Sequence, residues 1–363
     1  MTTALNVVLL FGGRSAEHEV SILSARSVAG AAPQDRIRIM PMCIARDGRF
    51  VDPERSARIL AGEEKSLTGD ALFSFERWAR SAEIDLVLPL IHGSGGEDGS
   101  LQGYLELLGL PYAGSGVAAS AVAMDKVQMK YAFAAAKLPL VDFVPVLEHD
   151  WHNDRERVSR AVTNALRLPY FVKPANAGSS IGVTKVKNDA DLPKAMDHAF
   201  RFDEKVLVER GVDAREIEVS VLGNEETQAS VPGEIVVGRD FYDYTDKYLE
   251  SKSQLVIPAK LAADKSAEVR RLALAAFKAV GAAGFARVDF FLERGTNRLY
   301  LNEINTIPGF TRISMYPKLW EATELKYPRL IERLITLGIE RSKSRAARTE
   351  SAMRWLEEMA PLS

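Results

Sequence analysis

The sequence contains a single cysteine, Cys43, and no apolar stretch of the roughly 20 residues that a membrane-spanning helix needs. One cysteine cannot form an internal disulfide, which is typical of a reducing compartment, and its thiol is expected to pack as a small buried group. The first residues also lack the basic segment that begins a secretory signal peptide. These absences together predict a cytoplasmic protein.

The sequence has no excess of either charge. Its 47 Lys and Arg residues oppose 49 Asp and Glu residues, for a formal net charge of −2. This balance does not favour a polyanionic partner, so nucleic acid is not expected. The composition, 47% hydrophobic and 26% charged, is that of a globular protein. A chain of 363 residues is too long for one ordinary core, so two or three domains are expected.

Two common nucleotide-binding signatures are missing. The sequence contains no Gly-x-x-x-x-Gly-Lys-Ser/Thr segment, which excludes a P-loop. In the glycine-rich segment from Gly93 to Gly99, Asp98 stands where the dinucleotide fingerprint needs its third glycine. A dehydrogenase is therefore excluded, and a bound nucleotide would need another architecture.

The first third of the sequence alternates short apolar runs with amphipathic segments. Strands are predicted over residues 6–11, 37–44 and 85–91, because each run is almost wholly apolar. A helix capped by Ser15 is predicted after the first strand, and another over residues 101–108 after the third. This alternation predicts a parallel sheet with helices on both faces, whose ligands bind outside the carboxyl ends of the strands.

The rest of the sequence predicts a more mixed α/β arrangement. Further strands are expected over residues 169–174, 178–186, 205–209, 216–222, 231–237, 286–292 and 298–303. Helices are expected over residues 122–133, 192–200 and 267–279, with a charged surface helix over residues 348–359. Residues 238–256 are polar and aromatic without periodicity, a pattern typical of a functional lid.

The strongest local signal lies in the last two predicted strands. Arg287 and Asp289 are on one strand, while Glu303 and Asn305 share a face of the next because side chains repeat every two residues. Two carboxylates and an amide supply the hard oxygen ligands that Mg²⁺ prefers. A solvated sheet face with alternating acids explains the same residues.

A second signal is the segment over residues 172–182. Lys173 closes an apolar strand there, and a loop of small residues follows it. A lysine ammonium and successive backbone N–H groups suit phosphate binding. Because glycine and serine favour turns in any case, an ordinary hairpin loop is the alternative.

Six segments resemble, in family order, the motifs of D-alanine–D-alanine ligases. They are Gly12-Gly-Arg-Ser-Ala-Glu-His-Glu-Val-Ser21, His92-Gly-Ser-Gly-Gly-Glu-Asp-Gly-Ser-Leu-Gln102, Met124-Asp-Lys126, Lys173-Pro with Gly178-Ser-Ser180, Phe241-Tyr-Asp-Tyr-Thr-Asp-Lys-Tyr248, and Asn302-Glu-Ile-Asn-Thr-Ile-Pro-Gly-Phe-Thr311. The resemblance covers nearly the whole chain. It implies an N-terminal Rossmann-like parallel sheet followed by a two-lobed ATP-grasp fold.

The resemblance also implies a division into four parts. Residues 1–122 are expected to form an N-terminal α/β domain on the side of the first D-alanine, and residues 123–222 a central ATP-grasp lobe. Residues 223–345 are expected to form a C-terminal lobe that carries the metal site and a closure loop over residues 238–256. Residues 346–363 are expected to form a charged helical tail.

Ligases of this family use ATP to phosphorylate the carboxylate of one D-alanine. The amine of a second D-alanine then attacks, and ADP and phosphate are released with a dipeptide used for peptidoglycan. Such a site must concentrate positive charge, orient both substrates and exclude water. The resemblance implies ATP, two Mg²⁺ or Mn²⁺ ions and a homodimer, and leaves activation by a monovalent cation open.

Substrate roles carry over to five positions. Glu17 is expected to bind the ammonium of the first D-alanine, with His92 near the same substrate. The alternatives are an acid favoured in the first turn of a helix and a histidine satisfied within the fold. Ser314 is expected to bind the carboxylate of the second substrate. Arg287 and the backbone N–H of Gly309 are expected to stabilise the oxyanion, since glycine lets the main chain approach closely.

Nucleotide and metal roles carry over in the same way. Contacts to the ATP phosphates fall on Lys126, Lys173 and Lys247, and contacts to the adenine edge and ribose on Glu209 and Glu216. The metal ligands are expected to be Asp289, Glu303 and Asn305. At residue 211 this sequence has glycine where some family members have an aromatic residue, so the adenine pocket must be walled differently.

Tyr248 bears on closure and on specificity. With Glu17 and Ser179 it resembles a hydrogen-bonded triad that links the first domain to the closure loop. Ligases that form a D-alanine–D-lactate ester depart from this loop pattern, so Tyr248 favours the dipeptide. The general base is left open between Tyr248, Ser179 and a route through solvent or phosphate. A ligase of other specificity and a nucleotide-binding module without catalysis are the competing functions.

Overall fold

The computed structural model describes residues 4–236 and 254–359. Among these residues, no helix combines the length and the apolar character that a membrane crossing requires.

The first part of the chain forms a small parallel sheet with helices. Its elements are β1 (Leu5–Gly12), α1 (His18–Ala31), β2 (Ile37–Ile44), α2 (Pro53–Ala61), α3 (Phe75–Ser81), β3 (Leu86–Pro89) and α4 (Ser100–Leu107). Strand β1 pairs in parallel with both β2 and β3, as the alternating pattern predicts. The loops after β1 and β3 therefore leave the same edge of the sheet.

The predicted cap of α1 is wrong. The helix begins after Glu17. The hydroxyl of Ser15 donates to the carbonyl of His92 at 2.7 Å and accepts from the N–H of Glu17 at 3.2 Å. Ser15 thus joins the loops that follow β1 and β3. Its local hydrogen bond is to Glu17, which precedes the first helical residue, so Ser15 does not cap α1.

The central part of the chain forms a four-stranded antiparallel sheet with order β4-β7-β5-β6. Its elements are α5 (Val117–Met124), α6 (Lys126–Ala135), β4 (Phe143–Leu147), α7 (Glu148–Asn153), α8 (Arg155–Ala165), β5 (Tyr170–Pro174), β6 (Thr184–Val186), α9 (Leu192–Ala199) and β7 (Lys205–Arg210).

Two predicted elements differ from the structure here. The single helix over residues 122–133 is two helices, because Asp125 is extended and its carboxylate accepts from the N–H groups of Val127 and Gln128. The strand over residues 178–186 is reduced to β6. Its first residues form a loop in which Ser179 and Ser180 have φ angles of 49° and 59°, outside the range of a strand.

The last part contributes a second antiparallel sheet, with order β11-β10-β8-β12-β13 and β9 beside β8. Its elements are β8 (Ala214–Gly223), β9 (Thr227–Ala229), β10 (Gly233–Val236), β11 (Gln254–Val256), α10 (Ala263–Ala279), β12 (Gly284–Glu293), β13 (Leu299–Asn305), α11 (Met315–Glu321) and α12 (Tyr327–Met359).

The predicted surface helix over residues 348–359 is only the end of α12. The first half of α12 packs with β1 in one hydrophobic core, through side chains such as Leu330 and Leu334. Gly338 lies at the closest approach, where a Cβ would stand 2.8 Å from Leu86 Cδ1 and 2.9 Å from Ala113 Cα. The helix from the C-terminal end of the chain therefore packs against the N-terminal sheet.

Candidate active site

One cavity of about 630 Å³ is lined by residues from the N-terminal loops and from both antiparallel sheets. Its volume is in the usual range for small-ligand sites. The predicted site residues that line it are Glu17, His92, Lys126, Lys173, Ser179, Glu216, Arg287, Asp289, Glu303, Asn305, Gly309 and Ser314. Residues distant in sequence are thus brought together in one place.

Glu17 lies between two glycines that leave it room. A Cβ at Gly93 would stand 2.7 Å from Glu17 Oε2, and a Cβ at Gly178 would stand 2.9 Å from the same atom. Ser179 donates its hydroxyl to Glu17 Oε1 at 2.5 Å. The carboxylate is therefore placed at the cavity by a hydrogen bond between the loop after β5 and the N-terminal domain.

His92 is satisfied on both ring nitrogens. Burial lowers its pKa, so the ring is neutral near pH 7. Nδ1 then donates to the carbonyl of Ile307 at 2.9 Å, and Nε2 accepts from the hydroxyl of Ser24 at 3.0 Å. Ser24 also accepts from the backbone N–H of Phe310. His92 lines the cavity, and its hydrogen bonds hold the loop after β13.

Glu97 holds the same loop and was not among the predicted site residues. Its two oxygens accept from the N–H of Gly93 at 2.8 Å and the N–H of Ile307 at 3.0 Å. Burial, with the nearby charge of Glu17, raises its pKa to about 8. The polar residue five positions after His92 in the glycine-rich loop was the available sequence signal.

Three carboxylates form a row across the larger antiparallel sheet. Asp289 on β12 is paired in register with Glu218 on β8 and with Glu303 on β13. All three line the cavity, together with Arg287 and Asn305 from the neighbouring register position. The predicted common face of residues 303 and 305 is confirmed. Glu218 was missed, although it follows Glu216 by the two-residue period of a strand.

Arg287 is the cation that this row surrounds. Its guanidinium donates to both oxygens of Asp289 at 2.7 and 2.6 Å and lies 3.0 Å from Glu218 Oε2. Burial acts to lower the pKa of Arg287, but Asp289 and Glu218 outweigh it and hold that pKa well above its usual value. Arg287 is therefore a permanent cation at the cavity wall.

The carboxylate oxygens of this row and the amide oxygen of Asn305 are hard donors of the kind that magnesium binds. Asn305 Nδ2 donates to Asp289 Oδ2 at 3.0 Å, so the two side chains already converge. No group of three His, Cys, Asp or Glu side chains suited to a metal occurs within residues 4–236 and 254–359. A metal here would need the mixed set of two acids and one amide, with Asp289 shared between the metal and Arg287.

Gly309 and Ser314 lie together at the turn before α11. A Cβ at Gly309 would stand 2.7 Å from Ser314 Oγ, so a side chain there would displace the serine. Ser314 Oγ accepts from the N–H of Thr311 at 3.0 Å, and the two hydroxyls are 2.7 Å apart. The turn therefore presents a backbone N–H and a fixed hydroxyl beside the cavity.

Two lysines line the cavity on the side of the smaller antiparallel sheet. Lys126 donates to the carbonyl of Ala177 at 2.7 Å, and Lys173 donates to Glu209 Oε2 at 2.5 Å. Glu209 does not line the cavity, and its other oxygen pairs with the buried Lys130. Lys130 follows Lys126 by one helical turn, but no sequence pattern distinguishes it from a solvated lysine.

Some predictions lie outside the described residues. These are Lys247, Tyr248 and most of the predicted closure loop over residues 238–256. The division into four parts also stays a prediction. Helix α12 runs without a break across the boundary predicted between residues 345 and 346.

Comparisons with known proteins agree on one family. The model for the D-ala D-ala ligase N-terminus matches residues 6–115, and the model for the D-ala D-ala ligase C-terminus matches residues 132–336. The D-alanine–D-alanine ligase of Halothermothrix orenii is 46% identical over 339 residues, 93% of this chain and 98% of that protein. The ligase of the same name from Chlorobaculum parvum is 46% identical over 92% of this chain and 97% of its own length.

Two solved structures are similar over nearly their whole length. The D-alanine-D-alanine ligase from Coxiella burnetii has a TM-score of 0.80 at 33% identity and covers 98% of this chain and 99% of its own. The VanG D-Ala:D-Ser ligase from Enterococcus faecalis has a TM-score of 0.80 at 32% identity and covers 93% of this chain and 100% of its own.

Proposed function

The chain belongs to the D-alanine–D-alanine ligase family of ATP-dependent ligases, and we propose that it joins two D-alanine molecules through an acyl-phosphate. The first carboxylate would be phosphorylated by ATP, and the amine of the second D-alanine would attack the acyl-phosphate carbonyl. The tetrahedral intermediate would then lose phosphate and leave the dipeptide. The family resemblance also implies a cytoplasmic homodimer that supplies peptidoglycan synthesis, and these features stay predictions.

The observation that carries the proposal is the opposition of charges across one cavity. Glu17 lies in the cavity with one oxygen bonded to Ser179, and Arg287 is fixed among its carboxylates in the same cavity. An amino acid has an ammonium for Glu17 and a carboxylate for a cation such as Arg287. The arrangement therefore orients a zwitterion, which is the first requirement of the reaction.

Arg287 and the turn at Gly309 would act on the developing negative charge. A guanidinium and a backbone N–H are both donors that need no rearrangement when the carbonyl oxygen becomes an oxyanion. The loss of one such donor typically lowers turnover by ~10²–10³-fold. Ser314, whose Oγ accepts from the N–H of Thr311, lies in this turn and would receive the carboxylate of the second substrate.

ATP and divalent metal are implied by the family. Lys126 and Lys173 would contact the phosphates, and Glu216 the ribose, while Asp289, Glu303 and Asn305 would hold two Mg²⁺ or Mn²⁺ ions. When bound, these ions would neutralise phosphate charge as it transfers. This chain's own residues would orient the phosphates and exclude water from the acyl-phosphate.

Two proposed roles fall on residues that the structure does not describe. Lys247 would add a third contact to the phosphates, and Tyr248 would join Glu17 and Ser179 when the loop closes. Ser179 already donates to Glu17, so two members of the proposed triad are in contact. The general base stays open between Tyr248, Ser179 and a route through solvent or phosphate.

A second specificity is favoured by the structural neighbour VanG, a D-Ala:D-Ser ligase. D-Serine differs from D-alanine by one hydroxyl, and a hydrophobic pocket discriminates weakly against an added hydroxyl. The pocket for the second substrate, beside Ser314, would distinguish D-serine from D-alanine. The first half-reaction would be the same for both specificities.

Phosphate release from ATP with magnesium tests the proposal and its alternatives in one assay. The amino-acid conditions are D-alanine alone, D-alanine with D-serine, D-alanine with D-lactate, and L-alanine, with products identified by mass spectrometry. We expect D-alanyl-D-alanine as the main product and no product from L-alanine. A main product containing serine or lactate would replace the proposed specificity, and no phosphate release under any condition would favour the module without catalysis.

A further inference from the structure

A buried cluster of three charges lies beside the proposed phosphate site. It consists of Lys130 on α6, Lys173 on β5 and Glu209 on β7. Glu209 Oε1 pairs with Lys130, and Oε2 lies 2.5 Å from Lys173 Nζ. Lys130 and Glu209 are each about 1% exposed, whereas Lys173 lines the cavity. Only one member of the cluster can therefore touch a ligand.

Aromatic rings surround the cluster. Glu209 is paired in register with Phe143 on β4 and with Phe171 on β5. Lys130 lies over the Phe143 ring at 5.5 Å, and Lys173 lies over the Phe171 ring at 5.8 Å. Rings on both sides exclude water, so the charges act on one another in a medium of low dielectric constant.

The carboxylate in this cluster is ionised. Burial acts to raise the pKa of Glu209, but Lys130 and Lys173 outweigh it and hold that pKa at about 2. Burial lowers the pKa of Lys130, and Glu209 opposes that shift. Two lysine side chains face one carboxylate, so the formal charge of the cluster is +1.

We propose that Lys130 is a positioning residue for nucleotide binding, which sets the charge that Lys173 presents to the phosphates. The inference rests on the proposed function, in which Lys173 contacts ATP. Because Lys130 occupies one oxygen of Glu209, the carboxylate cannot turn both oxygens to Lys173 and neutralise it. Lys173, the one member of the cluster that lines the cavity, then keeps a positive charge that can act on a bound phosphate.

The same geometry bears on Glu209, which the family resemblance assigns to the adenine edge. Both oxygens of its side chain are held by lysines, and the side chain does not line the cavity. Its carboxylate would therefore act on the nucleotide through Lys173. Removing the charge at Lys130 and the charge at Glu209 should then have opposite effects on phosphate affinity.

Three variants of the full-length protein, Lys130→Met, Glu209→Gln and the double variant, test this inference through binding of ADP with magnesium, measured by calorimetry. In Lys130→Met the cluster becomes neutral, and we expect ADP affinity to fall on the order of ten-fold. In the double variant Lys130→Met/Glu209→Gln, Lys173 alone stays charged. We expect its affinity to return to within about three-fold of the wild type. The loss caused by Lys130→Met would then depend on the charge of Glu209, and a double-mutant cycle measures this coupling.

The matched control is Lys185→Met. Lys185 lies over the same Phe171 ring at 5.7 Å, but Lys185 is exposed and does not line the cavity. We expect ADP affinity unchanged. Folding of each variant is checked by circular dichroism, since a buried charge left without its partner is destabilising.

The outcomes separate the two proposals. Wild-type affinity in Lys130→Met, or a double variant as weak as the single one, overturns the inference and leaves the function standing. If Lys130→Met does not fold, the double variant still decides, because affinity ten-fold below the wild type overturns the inference. Absence of ADP binding by the wild type overturns the proposed function and the inference with it.

Discussion

At the scale of single residues, the family motifs name candidate site residues but do not reveal the contacts that hold them. Glu17, His92 and Arg287, to which the resemblance assigns roles, line one cavity. His92, however, has both ring nitrogens bonded within the protein, which the motif does not reveal. Glu97 and Lys130 were missed because burial, which gives each its importance, depends on packing between distant segments.

Glu97 predicts a pH dependence of stability. Its pKa rises on folding from an ordinary 4.5 to about 8, so the folded chain keeps a proton that the unfolded chain has lost. The unfolding free energy contributed by this group therefore falls as pH rises from about 4.5 to about 8. Relative to Glu97→Gln, the wild type should lose about 4 kcal/mol across this window.

Urea unfolding of both proteins at pH 5, 6.5 and 8 measures this difference. Because all other titrating groups are shared, they cancel in the comparison. A difference in unfolding free energy that is the same at all three pH values contradicts the assignment to Glu97. Asp98→Asn is the control, since the hydrogen bonds that Asp98 accepts within the described part of the chain come from the nearby N–H groups of Gly95 and Ser100.

At the scale of elements, some strands agree with the prediction closely, whereas two features of the helices do not. The strands over residues 37–44 and 205–209 agree with β2 and β7 to within one residue. The break between α5 and α6 was missed because the apolar period continues through Asp125, while its carboxylate caps the second helix. Ser15 is not the cap because α1 begins two residues later than the predicted cap implies, after Glu17.

Gly338 predicts an unusual result for a glycine in a helix. Replacing glycine by alanine within a helix usually stabilises by about 1 kcal/mol. At Gly338 the added Cβ would stand 2.9 Å from the backbone of Ala113, so Gly338→Ala should destabilise by about 1–3 kcal/mol. Thermal and urea unfolding give the measurement.

Gly30→Ala is the matched control for this experiment. Gly30 is also helical, in α1, but nothing lies within 4 Å of its missing Cβ. We expect this variant to be stabilised by up to about 1 kcal/mol. Equal effects of the two substitutions would contradict the close approach of α12 to the N-terminal sheet.

At the scale of the whole molecule, α12 divides into a half that packs and a half that does not. Its first half shares a core with β1, and Arg345 still contacts Glu106 of α4. Residues 346–359 are exposed, and the hydrogen bonds of their side chains stay within the helix. The exposed half therefore adds little to the fold.

A chain ended after Arg345 should keep its activity and its stability. We expect a Tm within about 2 °C of the full-length protein, since stability resides in segments with buried contacts. A chain ended after Leu325, which removes all of α12, is the contrasting variant and should not fold stably. Loss of activity or a large fall in Tm in the first variant would show that residues 346–359 have a contact that the described fold does not contain.

The sequence by itself determined the family, the alternating N-terminal sheet and the residue types of the site, because these depend on local period and on motif order. Tertiary structure alone decided that Asp289 pairs with Glu218 and Glu303, and that α12 returns to the N-terminal sheet. It also decided that Glu17, placed at the helix start by its motif, meets the loop after β5 through Ser179. Strand register, burial and the pKa values that follow from them depend on which distant segments pack together, and a linear pattern does not contain that information.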